Sequence, residues 1–276
     1  MKKLVLFVLA AFSLLLTSCS SSGKSEATLM VSIEPLRYFA EQIVGDRMIV
    51  ETLVPAGSSP ETFEPTPHQM VALAESRAFV SVGTLGFEQA WLPRIRENAP
   101  KLPIFCASDS IDFIADANGV PDPHTWTSPR TAVIMATNIL HAVCQIDSAN
   151  ADYYKRNYAA LKNRLDKLDA DIHKMLADTQ HRTFVIYHPA LTYFAHEFGL
   201  FQIAIEEEGK EPTPESIHNV ITRAKTDEAK VVFVQREFNQ RNAEIVSKAV
   251  GARIETIDPL SYDFCEGMIS IARKLR

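Results

Sequence analysis

An uninterrupted amphipathic stretch in the middle of the chain constrains the fold more than any other feature. From Asp147, suited to cap a helix, to Ala177, the residues Tyr154, Tyr158, Leu161, Leu165, Leu168, Ile172 and Met175 recur at alternating steps of four and three, with no Gly or Pro between them. That spacing puts them on one face of a single helix of roughly 30 residues, about 45 Å long at 1.5 Å per residue. A coiled-coil seam is the alternative, but the stripe covers only about three heptads and lacks systematic complementary charges beside it.

On both sides of this helix the pattern changes to short β-rich runs alternating with helical ones. In the first half, Thr28 to Val31, Met48 to Val54, Ala78 to Val82 and Leu102 to Phe105 read as strands. Helical periods fill the gaps at Pro35 to Val44, Pro67 to Glu75 and Phe87 to Glu97, where Pro93 is a candidate kink, and a further one runs from Pro129 to Gln145. The second half repeats the scheme, with strands at Thr183 to Tyr187, Phe201 to Ile205, Val231 to Val234 and Arg253 to Thr256. Alternation of this kind builds parallel sheets covered by helices. The expected architecture is therefore two α/β lobes joined by one long rigid helix: residues 28–146 and 179–276 as the lobes, with 147–178 as the connector.

The start of the chain sets the compartment. Lys2 and Lys3 precede an apolar run from Leu4 to Leu16 that ends in Leu16-Thr17-Ser18-Cys19. A charged start, a short apolar run and a small-residue cleavage site describe an export signal over residues 1–18. The run is too short to span a bilayer comfortably. Cys19 after Leu-Thr-Ser resembles the lipobox of bacterial lipoproteins, in which that cysteine becomes acylated, and the Ser-rich residues 19–27 read as a tether. Removing residues 1–18 takes two lysines and no acid from a chain of net charge −6, leaving −8, a balance unlike that of a nucleic-acid binder. Cys106, Cys144 and Cys265 then remain; an odd number permits at most one internal disulfide, and their spacing offers no zinc-finger pattern. They read as small buried apolar residues.

Ligands in α/β folds gather beyond the carboxyl ends of strands. Four polar segments stand at such ends: the Pro-rich loop Pro55 to His68 containing Glu61, Asp122-Pro-His124-Thr-Trp126, His188-Pro-Ala-Leu-Thr-Tyr193, and Asp258-Pro-Leu260. Singly, a histidine at a strand end is commonly structural and Asp-Pro commonly begins a turn. Two imidazoles and one or two carboxylates drawn from both halves suit a first-row divalent ion.

These segments also carry a family resemblance. Gly-x-x-Pro-x-x-x-Glu-Pro-Thr-Pro, Asp122-Pro-His-x-Trp, His188 with Ala190 and Tyr193, Gly199-Leu200, Lys210-Glu-Pro-Thr-Pro214 and Asp258-Pro-Leu260 resemble, in unbroken order from Thr28 to the C-terminus, the cluster A-I zinc and manganese receptors of ABC importers. The resemblance implies two α/β lobes, a divalent transition metal held between them, and delivery to a membrane permease by a monomeric, lipid-anchored receptor. It places that receptor in the cell envelope, facing the periplasm or the exterior. It carries metal-ligand roles onto His124, His188 and Asp258.

The chain departs from the family pattern at Glu61, where a His is usual, at Gln235, where a Glu is usual, and in lacking a His-rich insertion between Asp109 and Pro123. Glu61 has three readings: an oxygen ligand in place of the His, an unbound residue beside water or His68, or the mark of a lost site, which would leave polar groups buried at a cost. His68 opens a helix and reads as a surface residue, His141, His173, His181, His196 and His218 receive no role, and Glu206 to Glu208 read as a solvated charge run. Trp126 and Tyr193 are expected to wall the site. Two other classes stay in view: a zinc-dependent hydrolase, which would need an open position for water and a general base, and a surface adhesin on the same scaffold.

Overall fold

The computed structural model describes residues 27–115, 119–206, 211–238 and 240–276; the signal segment, Cys19 and most of the tether lie outside them. Two four-stranded parallel sheets form. The first has the order β2-β1-β3-β4, with β1 at Thr28–Val31, β2 at Ile49–Thr52, β3 at Ala78–Ser81 and β4 at Ile104–Cys106. The second repeats the order as β6-β5-β7-β8, with β5 at Thr183–Ile186, β6 at Phe201–Ala204, β7 at Val231–Gln235 and β8 at Arg253–Ile257. Helices α1 (Glu34–Val44), α2 (Pro67–Glu75), α3 (Gly86–Asn98) and α4 (Pro129–Ile146) belong to the first half, α5 (Ala151–Leu176) connects, and α6 (Thr192–Phe198), α7 (Pro214–Thr226), α8 (Arg241–Val250) and α9 (Phe264–Lys274) complete the second. Pro93 lies within α3 without ending it.

Local chemistry explains the boundaries. Thr66 and Gln69 form a reciprocal capping box at the start of α2, and Ser128 and Thr213 cap α4 and α7, each with proline in the first turn. Asp147 does not open the connecting helix directly. A 3-10 turn at Ser148–Asn150 intervenes, and the Asp147 carboxylate accepts hydrogen bonds from the Tyr154 hydroxyl at 2.6 Å and the Asn150 amide at 2.8 Å. The chain turns by 119° there. The predicted stripe is the buried face of α5: Tyr154, Leu161, Leu165, Leu168 and Ile172 are all fully or nearly fully buried. No described helix is long and apolar enough on its own to cross a membrane.

One hydrophobic cluster runs from the first sheet through α5 to one face of the second sheet, where Phe184, Ile186 and Phe233 point. Val185, Tyr187, Val232 and Val234, alternating with them, form a second core under α7 and α8. The connector is therefore part of the core of both lobes.

Further contacts stitch the lobes together directly. Phe39 of α1 meets Phe264 of α9 edge to face, with ring centroids 4.9 Å apart. Glu197 of α6 accepts hydrogen bonds from the Ser128 hydroxyl and, at 3.3 Å, the Arg130 N–H, which caps α4 from the opposite lobe. Cys106, Cys144 and Cys265 are unpaired and half-buried.

Candidate metal centre

Each sheet has a crevice where the strand order reverses, between β1 and β3 and between β5 and β7. In the first lobe a carboxylate fills it. Glu88 is fully buried and accepts hydrogen bonds from the Ser32 hydroxyl and from the N–H groups of Val82 at 2.8 Å, Gly83 at 2.6 Å and Leu85 at 3.3 Å. In the second lobe the crevice holds the backbone of His188. The Gln235 amide donates to the His188 carbonyl at 2.7 Å and accepts from its N–H at 3.4 Å, leaving the ring free to point outward.

Three of the four predicted residues converge between the lobes. Glu61, His124 and His188 place one donor atom each within 4.8 Å of one another. The two imidazoles face each other through Nε2, 3.1 Å apart, and each turns its Nδ1 to a carboxylate. His124 Nδ1 lies 3.0 Å from Asp122 Oδ1, and His188 Nδ1 lies 3.3 Å from both oxygens of Glu206. A carboxylate only accepts, so the Nδ1 facing it carries the proton and Nε2 is left with a lone pair. Two facing lone pairs at this distance repel unless a cation lies between them. Nitrogens each about 2.1 Å from a shared ion, at angles of about 95–109°, stand about 3.1–3.4 Å apart.

Asp122 is held in its ionised form. Burial alone would raise its pKa, but hydrogen bonds from the His124 ring, the Thr192 hydroxyl at 2.6 Å and the His124 N–H at 2.8 Å together bring it below the ordinary carboxylate value. Glu61 comes from the Pro-rich loop, which is ordered against the start of α3: Phe63 packs edge to face on Phe87 at 5.6 Å, and the Phe87 N–H donates to the Pro60 carbonyl at 3.3 Å. Gly86 makes room for this approach, since a Cβ there would lie 2.9 Å from the Glu61 carbonyl oxygen and 3.2 Å from its carboxylate. Glu61 Oε1 is buried and has no hydrogen-bond partner. A buried unpaired oxygen is costly, and a cation beside the two Nε2 atoms would satisfy it.

A cavity of about 20 Å³, the size of one water or ion, is lined by Glu61, His124, His188, Trp126, Glu237 and Phe238, with Pro259 and Leu260 behind. Asp258 stands outside the converging set; its Oδ1 accepts the Leu260 N–H of its own turn at 3.1 Å. Trp126 walls the cavity as expected, fixed by a 3.0 Å hydrogen bond from its Nε1 to the Pro259 carbonyl across the cleft. Tyr193 does not line it, and instead braces the Asp122 loop from behind by donating to the Asp122 carbonyl at 3.1 Å. His68 is exposed.

The reading of Glu206 as solvated is corrected: it is only 5% exposed and orients His188. A run of three acids gave no sign of this, because the strand β6 ends at Ala204 and turns the first acid inward against β5. Asp122 was visible in its motif, and its spacing of two from His124 is the signal that could have marked it as the partner of that ring.

The fold and this site match known proteins along nearly the whole chain. A family model described as "ZnuA: Zinc-uptake complex component A periplasmic" matches residues 29–275. The high-affinity zinc uptake system protein ZnuA of Bacillus subtilis is 27% identical over 281 residues, covering 92% of this chain and 88% of that protein. The manganese ABC transporter substrate-binding lipoprotein PsaA of Streptococcus pneumoniae is 27% identical over 266 residues, covering 89% and 84%. A crystal structure of ZnuA superimposes with a TM-score of 0.87 at 34% identity, over 91% of this chain and 98% of that one. With the match running from the first strand to the last helix, the chain belongs to the ZnuA family of metal-binding receptors that serve ABC importers.

Proposed function

We propose that Glu61, His124 and His188 hold a divalent transition metal, zinc foremost, that Asp258 closes the shell from β8, and that the loaded protein passes its cargo to a membrane permease. The observation that carries this reading is the meeting of the two Nε2 lone pairs with the unpartnered Oε1 of Glu61 in an ion-sized cavity. Two carboxylates balance the charge of a divalent ion, and two nitrogens with two oxygens make a tetrahedral zinc set. Manganese or iron is also admitted by the oxygen donors. Cys19 anchors the chain to a membrane of the cell envelope through lipid, residues 19–27 act as its tether, and the receptor works as a monomer facing the periplasm or the exterior. The relatives described above are named as transport proteins, and a hydrolase role draws no support from them.

Metal-depleted protein titrated with ZnCl2 in competition with a chromophoric chelator tests the ligand set. One-to-one binding is expected, lost in His124→Ala and His188→Ala and weakened in Glu61→Ala and Asp258→Ala. Zinc titrations left unchanged by both histidine substitutions would overturn the reading. Membrane fractionation of Cys19→Ala tests the anchor: the variant should leave the membrane fraction or stall unprocessed.

A further inference from the structure

The cavity has one wall that neither the sequence motifs nor the four-residue shell uses. Glu237 stands in the turn between β7 and α8 and lines the cavity together with Glu61, His124 and His188, while being exposed on its outer side. The turn that carries it is pinned to the site at both ends. Before it, Gln235 clamps the His188 backbone; after it, the Phe238 ring stacks on the His188 ring with centroids 5.3 Å apart and planes at 18°, and meets Tyr187 at 5.1 Å. The Phe238 N–H donates to the Gln235 carbonyl at 3.2 Å, closing the turn.

Resting on the metal-receptor reading above, we propose that Glu237 is a fifth ligand, recruited by ions that take more than four donors and left at the cleft mouth by zinc. Glu61, His124, His188 and Asp258 already fill a tetrahedral zinc shell, so zinc has no place for a further oxygen. Manganese(II) takes about six donors, favours carboxylate and water oxygens, and has the weaker intrinsic affinity, so it gains most from an added carboxylate. Exposure of the outer side lets the side chain swing inward without breaking a core contact. Glu237 thereby sets how far the site tolerates manganese beside zinc.

The test compares wild type, Glu237→Gln and Glu237→Asp in separate MnCl2 and ZnCl2 titrations, each made in a Trp91→Phe background and followed by calorimetry and by the fluorescence of Trp126, whose ring lies 5.2 Å from that of His124. Both variants are expected to lose on the order of tenfold in manganese affinity, with zinc affinity kept within about threefold. Glu237→Asp keeps the charge but shortens the reach, so its retention of full manganese affinity would mean attraction alone and overturn ligation. Equal losses for both metals, no loss for either, or a wild type that takes zinc and no manganese would likewise overturn it. A wild type that takes neither metal would refute the metal-receptor reading instead. Thermal melts of the metal-free variants matching wild type separate these outcomes from misfolding.

Discussion

At the scale of single residues, the candidate site is built by what stands behind its two imidazoles. Glu206 is buried against His188 and fixes both the direction and the tautomer of its ring. Removing such a carboxylate partner of a ligating histidine costs about 10–100-fold in metal affinity. Glu206→Gln should therefore weaken zinc binding by that order while leaving the stoichiometry at one, as chelator competition would show; an affinity equal to wild type would mean that Glu206 does not orient the ring. Gly86 makes a second prediction. Alanine there would put its Cβ 2.9 Å from the Glu61 carbonyl, so the Glu61 loop has to shift. Gly86→Ala is expected to cost about 1–3 kcal/mol of stability from overpacking and to weaken metal binding, measured by denaturant unfolding and titration. Of these residues the sequence exposed only part. His124 and His188 were legible because each follows a strand in a recognisable motif. Glu206 and Gly86 were not, since one sits in what reads as a polar run and the other acts through space on a loop 25 positions away.

Elements set where those residues meet, and the joint between them is sensitive to protons. Glu197 on α6 caps α4 through Ser128 and Arg130 and lies beside Asp169 on α5, whose carboxylate is 2.8 Å from the His173 ring. Burial raises the Glu197 carboxyl from 4.5 to about 7, the Ser128 hydroxyl working against the shift and Asp169 adding to it. A carboxyl with a raised folded value binds its proton more tightly when folded. Its contribution is full below the unfolded value and is lost as pH rises through the folded one. Stability should thus fall between pH 4.5 and about 7 with a slope of at most about 1.4 kcal/mol per pH unit from this pair. Glu197→Gln should flatten that slope in urea unfolding series; an unchanged slope would assign it to other groups. The element pattern itself was largely readable, because period 3.6 and period 2 leave distinct marks, down to the Pro67 and Glu75 limits of α2. The 3-10 turn after Asp147 was missed: the Tyr154 and Asn150 bonds that hold it form only once the chain bends by 119°.

At the scale of the whole molecule, the connecting helix and the contacts around the cleft argue against a hinge. A receptor that closes on its cargo needs lobes that separate without exposing core, whereas here one hydrophobic cluster passes from the first lobe through α5 into the second. Trp126 bonds to Pro259, Thr192 and Tyr193 bond to Asp122, and Phe39 packs on Phe264, all across the cleft. Opening would strip several of these at once, and burying or exposing one large aromatic alone changes the free energy by about 1.5–3 kcal/mol. The parts free to respond are the loop bearing Glu61 and the turn bearing Glu237, each exposed on its outer side in part and joined to the lobes at its ends. Metal should therefore order these two segments and leave the lobe arrangement as it is. Hydrogen exchange is expected to slow on zinc addition at residues 55–66 and 236–238, with the two sheets unaffected. Solution scattering should show a change in radius of gyration below roughly 1 Å, the scale of backbone movement in pre-organised complexes. A zinc-driven compaction of several ångströms would show that the cross-cleft contacts break and reform with each loading cycle, and that α5 bends.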